Sequence, residues 1–422
     1  MLKKISATFL TKVLTAFINL GVAILLSRWL GAEGKGFQSL FIAGLGLSTA
    51  ITGVFGIISL TYLVPKRPSV NYFFIANGWA LVASSLVFLV VYQGQFLSLE
   101  NSLWLSFSTL LSALATNNLS IYLIKERITR YNLLLFVQPL FNILLIAAFY
   151  HWGGEFTVES YIHTLSISYL ALFILSLHGA KCYLKGMQGI DKSTFWKDVK
   201  AMFRYGFLNQ TGTFIQLLSF RGSYYLLERL GSLQEVGIFS NAVSITEAIW
   251  IINRSLSLVF YSRIINSTST RYHQKLYQRY VFFAFWSQTA ALLALVLVPA
   301  QLYTFFFGAE FSGLKHYIVL MLPASFLFGQ SLLSSHYFSG TGRHQINLWG
   351  SMANLFIVLV GGWFLIGVWG ATGAALATNF GYLALVVVQH HYLKKHLSLP
   401  LWSGLLQMEM IKRLLYRSRH KE

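Results

Sequence analysis

Three charged residues interrupt stretches of this 422-residue chain that are otherwise apolar: Arg221, Glu247 and Arg254. An ionised side chain in an apolar medium costs at least about 2.5 kcal/mol, so such residues are read first as functional. Arginine suits phosphate, because its planar fork donates two parallel hydrogen bonds to an oxyanion. Glu247 and Arg254 are seven positions apart, hence on one face of a helix but about 10 Å from each other. That is too far for an i,i+4 pair. Ser240 and Ser244 extend the same stripe. Two further stretches carry polar faces at helical spacing: Thr8, Lys12, Thr15 and Asn19, and then Asn209, Thr213 and Gln216. With Arg28, these residues form a net-positive set that would hold an anion in a low dielectric. Glu247 either neutralises an arginine or titrates as an ion-coupling group driven by an H+ or Na+ gradient. Lys12 and Arg28 fall near the ends of apolar runs, where they either line the same cavity or extend to headgroups. The pattern is one of binding, not catalysis: no HExxH occurs, the single Cys182 excludes a multi-cysteine metal site, and no cofactor motif is present.

The elements that must carry these residues are dictated by composition. The chain is 55% hydrophobic and 11% charged, with a mean hydropathy of +0.60, against about 25% charged residues in soluble domains. This is the composition of an all-α, multi-pass membrane protein. A membrane helix needs roughly 20 apolar residues. Twelve such spans are expected, at about 6–29, 37–63, 71–93, 102–124, 132–152, 158–179, 205–227, 237–262, 280–306, 316–338, 346–367 and 372–393. The first resembles a secretory signal at its basic start. Lys12 and Asn19 interrupt it and no A-x-A site follows, so it is read as a retained span.

Charge sets the orientation. With these spans, 25 of the 32 lysines and arginines fall on the side of the N-terminus and four on the other. That asymmetry is the positive-inside signal, and it predicts both termini in the cytoplasm. The net charge of +19 is therefore topology and contact with anionic membrane lipids, not a nucleic-acid footprint. The loops on the outer side are short and leave no room for a catalytic domain. In the longest inner connection, "STFWKDVKAMF" puts Phe195, Trp196, Val199, Met202 and Phe203 on one face, as an interfacial amphipathic helix would. The tail, with Leu401, Trp402, Leu405, Leu406 and Leu415, reads the same way.

"SRWLGAEGKGFQSL" at 27–40 and "RLGSLQEVGIFSNA" at 229–242 both follow an apolar run, and their first glycines lie 200 positions apart. "ERITRYNL" before the fifth span and "GTGRHQINL" before the eleventh both end in Asn-Leu. These echoes predict two parallel six-helix bundles: an N-terminal bundle at 1–180, a basic linker at 181–204, a C-terminal bundle at 205–393 and a basic tail at 394–422. Spans one and seven then correspond, and their polar faces would meet one central cavity. Pro323, inside the tenth span, is expected to kink it. Pro139 and Pro299 lie nearer span ends.

"LLSRWLGAEGKGFQSL", "RLGSLQEVGIFSNA" and "GTGRHQINLWGSMANLFIVLVGGWFLIGVWGATGAALATNFGY" together resemble polysaccharide flippases of the multidrug/oligosaccharidyl-lipid/polysaccharide (MOP) superfamily. They match the ends of spans one and seven and the region of spans eleven and twelve, and the pattern extends over nearly the whole chain. The resemblance implies a MATE-like pair of bundles. It also implies a substrate, an undecaprenyl-pyrophosphate-linked oligosaccharide, moved to the outer leaflet by alternating access. The product would feed O-antigen, capsule or exopolysaccharide synthesis beside a polymerase and a chain-length regulator, with the flippase as a monomer. Ser223 departs from the family, where an acidic residue often stands two positions after the arginine. The departure removes the family's ion-pair partner at that place and leaves Arg221 a candidate for the substrate.

Other readings fit less well. An ion-coupled drug antiporter of the same superfamily would favour acidic cavity residues. A major-facilitator transporter would carry a Gly-rich basic loop between spans two and three, where this chain has only "PKRPS". A membrane-embedded polymerase or glycosyltransferase would need a large outer loop. A lipid II flippase would be longer, by about two spans.

Overall fold

The computed structural model describes residues 2–152, 155–184 and 190–398, without the side chains of 2–10, 12, 152, 182 and 184. Among the described residues the chain is all-helical, with no strand. It divides into two compact units, Met1–Arg221 and Gly222–Glu422. The first holds α1 (Leu2–Thr52), a 3₁₀ turn (Gly53–Phe55), α2 (Ile57–Leu63), α3 (Val70–Gln93), α4 (Leu99–Ile124), α5 (Ile128–Trp152), α6 (Val158–Leu184) and most of α7 (Phe195–Leu230). The second holds the end of α7, then α8 (Leu233–Ala248), α9 (Trp250–Ile265), α10 (Thr270–Leu297), α11 (Ala300–Phe307), α12 (Leu314–Gly340), α13 (His344–Phe356) and α14 (Gly362–Leu397). The predicted tail lies outside the described residues.

Nine stretches among the described residues are long and apolar enough to cross a membrane. Two of them, Val13–Leu63 and His344–Leu397, have 51 and 54 residues. At 1.5 Å per residue each would exceed twice the roughly 30 Å of a hydrocarbon core if straight. Each is broken at a glycine with positive φ: Gly31 (φ 68°, ψ −174°) and Gly370 (φ 53°, ψ −132°). An L side chain rarely adopts these conformations. The second break turns the chain back on itself, since Asn354 lies beside Gly381 and Trp349 against Tyr392, which makes the two limbs antiparallel. The expected split near 367–373 falls at Gly370.

Side-chain pairs give the directions of the other helices. In the first unit Ser108 meets Ser166 at 2.7 Å and Asn118 Nδ2 donates to Ser176 at 3.0 Å, so α4 and α6 run parallel. Asn117 pairs with Asn77 and Ser106 with the carbonyl of Ser84, so α3 and α4 run antiparallel. Serine, alanine and asparagine at these contacts let the backbones approach and exchange hydrogen bonds, the usual device where lipid offers no hydrophobic drive. In the second unit α12 lies centrally, parallel to α8 and α9 and antiparallel to α10, as the pairs Ser325–Thr246, Gln330–Gln288 and Tyr277–Ser334 require.

Two turns are built alike. After α4, Glu126 takes φ 55°, its N–H reaches the carbonyl of Leu123, and the N–H of Arg127 reaches that of Tyr122 at 2.7 Å. After α12, Gly342 takes φ 75°, its N–H reaches Ser339, and the N–H of Arg343 reaches Phe338 at 2.7 Å. Both are Schellman caps, and both lead into the Asn-Leu pairs singled out in the sequence. The louder echo is less alike in structure. Gly31 is left-handed inside α1, whereas Gly231 is not among the positive-φ residues and precedes a capping box. There Ser232 accepts the N–H of Glu235 at 3.2 Å.

Three expected boundaries move. The ninth span ends at Leu297 because Val298 and Pro299 are extended (ψ 122° and 147°) and α11 starts afresh. This follows from the restriction that proline places on its own φ and on the residue before it. The amphipathic stretch is no separate surface helix but the first turns of α7. Its Phe195, Val199 and Met202 pack into a core with Phe55, Leu60 and Tyr72. Trp196 and Phe203 stay exposed. The units, finally, meet inside α7 and not at 181–204, because the first half of that helix lies against α2 and the 3₁₀ turn. Gly206 approaches the carbonyl of Val54 so closely that no side chain would fit.

Candidate functional site

A cavity of about 360 Å³ opens inside the first unit, where α1 ends in the 3₁₀ turn and faces α4, α6 and α7. Its polar lining is Thr49, Thr52, Ser112, Thr116, Asn117, Tyr169 and Gln210, and no ionisable acid or base takes part apart from the Tyr169 phenol. Ile42, Leu45, Ile57 and Ala113 supply the apolar part. Broken helices expose polar groups at such depth only where they line a cavity or are buried in protein. The threonines donate inward to their own helices: Thr49 to Gly46 at 2.8 Å, Thr52 to Thr49 at 3.1 Å and Thr116 to Ser112 at 2.9 Å. Their oxygen lone pairs remain as acceptors. Asn117 spends one N–H on Asn77 at 3.1 Å. Gln210 is 7% exposed and lies over Gly53, where a Cβ would come within 2.6 Å of its Nε2.

The residues marked in the sequence distribute as follows. In the first unit Asn19, Arg28, Thr213 and Gln216 are exposed, Thr15 is half-buried and donates to Thr11 at 2.9 Å, and Arg221 is half-buried. Lys12 lies in α1, and its side chain lies outside the described residues. Ser112 and Thr116, on α4, line the cavity. In the second unit Ser244 is exposed and donates to Ser240 at 2.8 Å, while Glu247 is half-buried near the end of α8. Arg254 is exposed on α9, with its guanidinium carbon 5.8 Å from the centre of the Trp250 ring. That distance suits a cation–π contact. Ile249 separates α8 from α9, so Glu247 and Arg254 stand on successive helices rather than on one.

Two features escaped sequence reasoning. Lys35 counts as an outer-loop charge by position, yet it is 5% exposed. Its ammonium donates to Gln38 Oε1 and, at 3.2 Å, to Ser39 Oγ. Gln38 in turn donates to the Tyr161 hydroxyl at 3.2 Å. Arg221 lies within electrostatic range of Lys35. The second feature is Gln210, hidden beside Asn209. The stripe Asn209, Thr213, Gln216 faces outward, and Gln210 turns into the protein.

The second unit holds a buried amide network. Gln288, fully buried, accepts from Asn253 at 2.7 Å and from Gln330 at 2.9 Å. It donates to the carbonyl of Ser325 at 2.8 Å, which Trp250 Nε1 also reaches at 3.0 Å. Three residues before Pro323, which lies inside the continuous helix α12, the carbonyl of Leu320 accepts from Asn379 at 2.9 Å. No group of three or more metal-ligating side chains occurs among the described residues.

No family model matches the chain, and no curated protein does. Solved structures do. The lipid II flippase MurJ, in an inward closed conformation, aligns with a TM-score of 0.71 over 93% of this chain and 88% of its own, at 15% identity. An inward-facing multidrug resistance MATE family transporter of the MOP superfamily aligns with 0.70 over 91% and 94%, at 14% identity. An outward-facing one aligns with 0.65 over 93% and 94%, also at 14% identity. These neighbours are transporters and flippases. The chain is a multi-pass helical membrane protein with the fold shared by a lipid II flippase and by transporters of the MOP superfamily.

Proposed function

We propose that this protein is a flippase of the MOP superfamily. It moves undecaprenyl-pyrophosphate-linked oligosaccharide repeat units from the cytoplasmic to the outer leaflet of the plasma membrane, by alternating access. The observation that carries this reading is the sign of the charges within the apolar segments. Lys12, Arg28, Arg221 and Arg254 stand against Glu247. A pyrophosphate needs such cations. The fold shared with a flippase supports a lipid-linked cargo. If the limbs on each side of Gly31 and Gly370 and the helix α7 each cross once, the crossings number twelve. An even number leaves both termini in the cytoplasm, in keeping with the basic inner loops. The product supplies O-antigen, capsule or exopolysaccharide synthesis alongside a polymerase and a chain-length regulator. The flippase acts as a monomer, and Glu247 is the group for coupling to H+ or Na+.

A second reading, an ion-coupled multidrug antiporter, has the nearly equal likeness to MATE transporters in its favour. It would select organic cations and so favour carboxylates along the path, against the charge found here. The two part in one experiment. Arg221→Ala and Arg254→Ala are introduced separately, and surface polysaccharide is measured at equal protein level. The flippase reading expects a loss of at least about tenfold in one or both. Normal polysaccharide in both variants would sink it.

A further inference from the structure

The cavity in the first unit has a chemistry opposite to that of the charged residues. Lys, Arg, His, Asp and Glu are all absent from its lining. Its polar groups are hydroxyls and carboxamides, and the hydroxyls of Thr49, Thr52 and Thr116 have already spent their hydrogens on their own helices. Acceptors therefore outnumber donors. An anion would find too few N–H groups, and a bare metal ion would not be gripped in a space of about 360 Å³. Ligands at about 2.3–2.6 Å have to close around such an ion. The volume is at the lower end of the roughly 300–1,000 Å³ of small-molecule sites. One side chain points to a ligand directly. Gln210 is more than nine-tenths buried, lines the cavity, and is the one lining carboxamide with no hydrogen bond to the described protein. That amide opens onto the cavity, and a carboxamide offers a donor and an acceptor side by side.

We infer that this cavity binds an uncharged, polyhydroxylated group, a neutral sugar, and that Gln210 is the side chain that recognises it. Sugar hydroxyls supply the hydrogens that the threonine oxygens accept. The Gln210 amide spans two adjacent hydroxyls, and the sugar's C–H face rests on Leu45, Ile57 and the ring of Tyr169. The inference rests on the proposed function only for the source of that sugar, the glycan of the lipid-linked cargo. It also separates the two ends of that cargo: arginines for the pyrophosphate, a neutral cavity for a saccharide.

The test uses the full-length protein in lipid nanodiscs free of glycosidic detergent. Three probes share one alkyl chain: octyl glucoside, octyl phosphate and octyltrimethylammonium, each below its critical micelle concentration. The expected result is saturable thermal stabilisation by octyl glucoside alone. Its apparent affinity should fall at least tenfold in Gln210→Leu and severalfold in the isosteric Thr116→Val. An unchanged response in both variants would overturn the inference, as would equal stabilisation by octyl phosphate or octyltrimethylammonium. Should Gln210→Leu not fold, Thr116→Val carries the same decision. Binding and transport remain separate readouts. Gln210-dependent glucoside binding in a protein that moves no lipid-linked oligosaccharide upholds the cavity and sinks the flippase reading. Transport without such binding does the reverse.

Discussion

Asn71 Nδ2 lies 2.9 Å from Asp198 Oδ2, and the guanidinium of Arg67 holds the other oxygen of the same carboxylate. Asn71 caps this arrangement from the start of α3 and also takes the carbonyl of Asp191 at 2.9 Å. The first turn of α7 is thereby tied to the loop between α2 and α3. Asp198 is 3% exposed as a side chain and Arg67 43%. Removing the acid takes an acceptor from a fully buried amide, whereas Arg67→Gln leaves the carboxylate its bond to Asn71. Asp198→Ala is expected to lower stability by about 1–3 kcal/mol. Arg67→Gln should cost less than about 1 kcal/mol, because the arginine end of the pair is 43% exposed and screened. Midpoints of thermal unfolding in detergent check the order of the two. A larger loss for Arg67→Gln would mean that the ion pair, not the amide, holds the helix.

The neighbouring Asp191 gives a pH dependence with a definite sign. It is exposed, and it accepts from the Ser193 hydroxyl at 2.6 Å, the Thr194 hydroxyl at 2.9 Å and the Ser193 N–H at 2.9 Å. Those donors, the Ser193 hydroxyl foremost, hold its carboxyl below the usual carboxylate range. A depressed pKa means that the contribution is complete above the unfolded value of about 3.9 and is lost as pH falls through the folded one. Amide protection at the start of α7 should therefore be flat from pH 7 to 5 and fall at lower pH. Asp191→Asn should remove that acid-dependent step. A decline already complete at pH 5 would show that another group controls this end.

Gly31 and Gly231 occupy matching words in the sequence and different conformations in the structure. Gly31→Ala must hold an L side chain at φ 68°, ψ −174°, a region nearly confined to glycine, at a cost of about 1–3 kcal/mol. Gly231→Ala meets chiefly the movable end of Glu235 and the carbonyl of Leu227 at 3.0 Å, a milder conflict. The yield of folded protein should fall clearly more for Gly31→Ala. Equal losses would mean that the two positions are under the same backbone constraint after all.

This pair also shows what could be read in advance. Apolar run lengths locate most helices within a few residues, because the demand for about 20 apolar residues acts along the chain itself. The turn at Gly370 was legible for the same reason. Burial is different, since it depends on what another element brings. Lys35 looks like a loop charge until Gln38 and Tyr161 close over it. Gln210 looks like one more residue of an exposed stripe until the 3₁₀ turn at Gly53 meets it. Asp198 was invisible among lysines, because its partners Arg67 and Asn71 lie more than 120 residues away. Conversely the weak echo "ERITRYNL"/"GTGRHQINL" outperformed the strong one. A Schellman cap needs only one left-handed residue, which Glu126 supplies in one copy and Gly342 in the other.

The amide network of the second unit should be where stability concentrates among polar contacts. Gln288 joins α9, α10 and α12 through three hydrogen bonds, to Asn253, Gln330 and the carbonyl of Ser325. A single interhelical bond in a membrane protein averages only about 0.6 kcal/mol, with a maximum near 1.7, because the separated helices find other partners. Gln288 differs in being shared. Gln288→Leu keeps the volume nearly constant and removes three hydrogen bonds at once, so a loss of roughly 2 kcal/mol is expected from that range. Gln330→Leu removes one of the three bonds and should cost about a third as much. Gln330 is half-buried, which reduces the penalty further. Unfolding midpoints of the two single variants and of the double variant decide the matter. Coupled residues give a double-mutant loss smaller than the sum of the single losses. Strict additivity would mean that Gln288 does not hold α12 through Gln330.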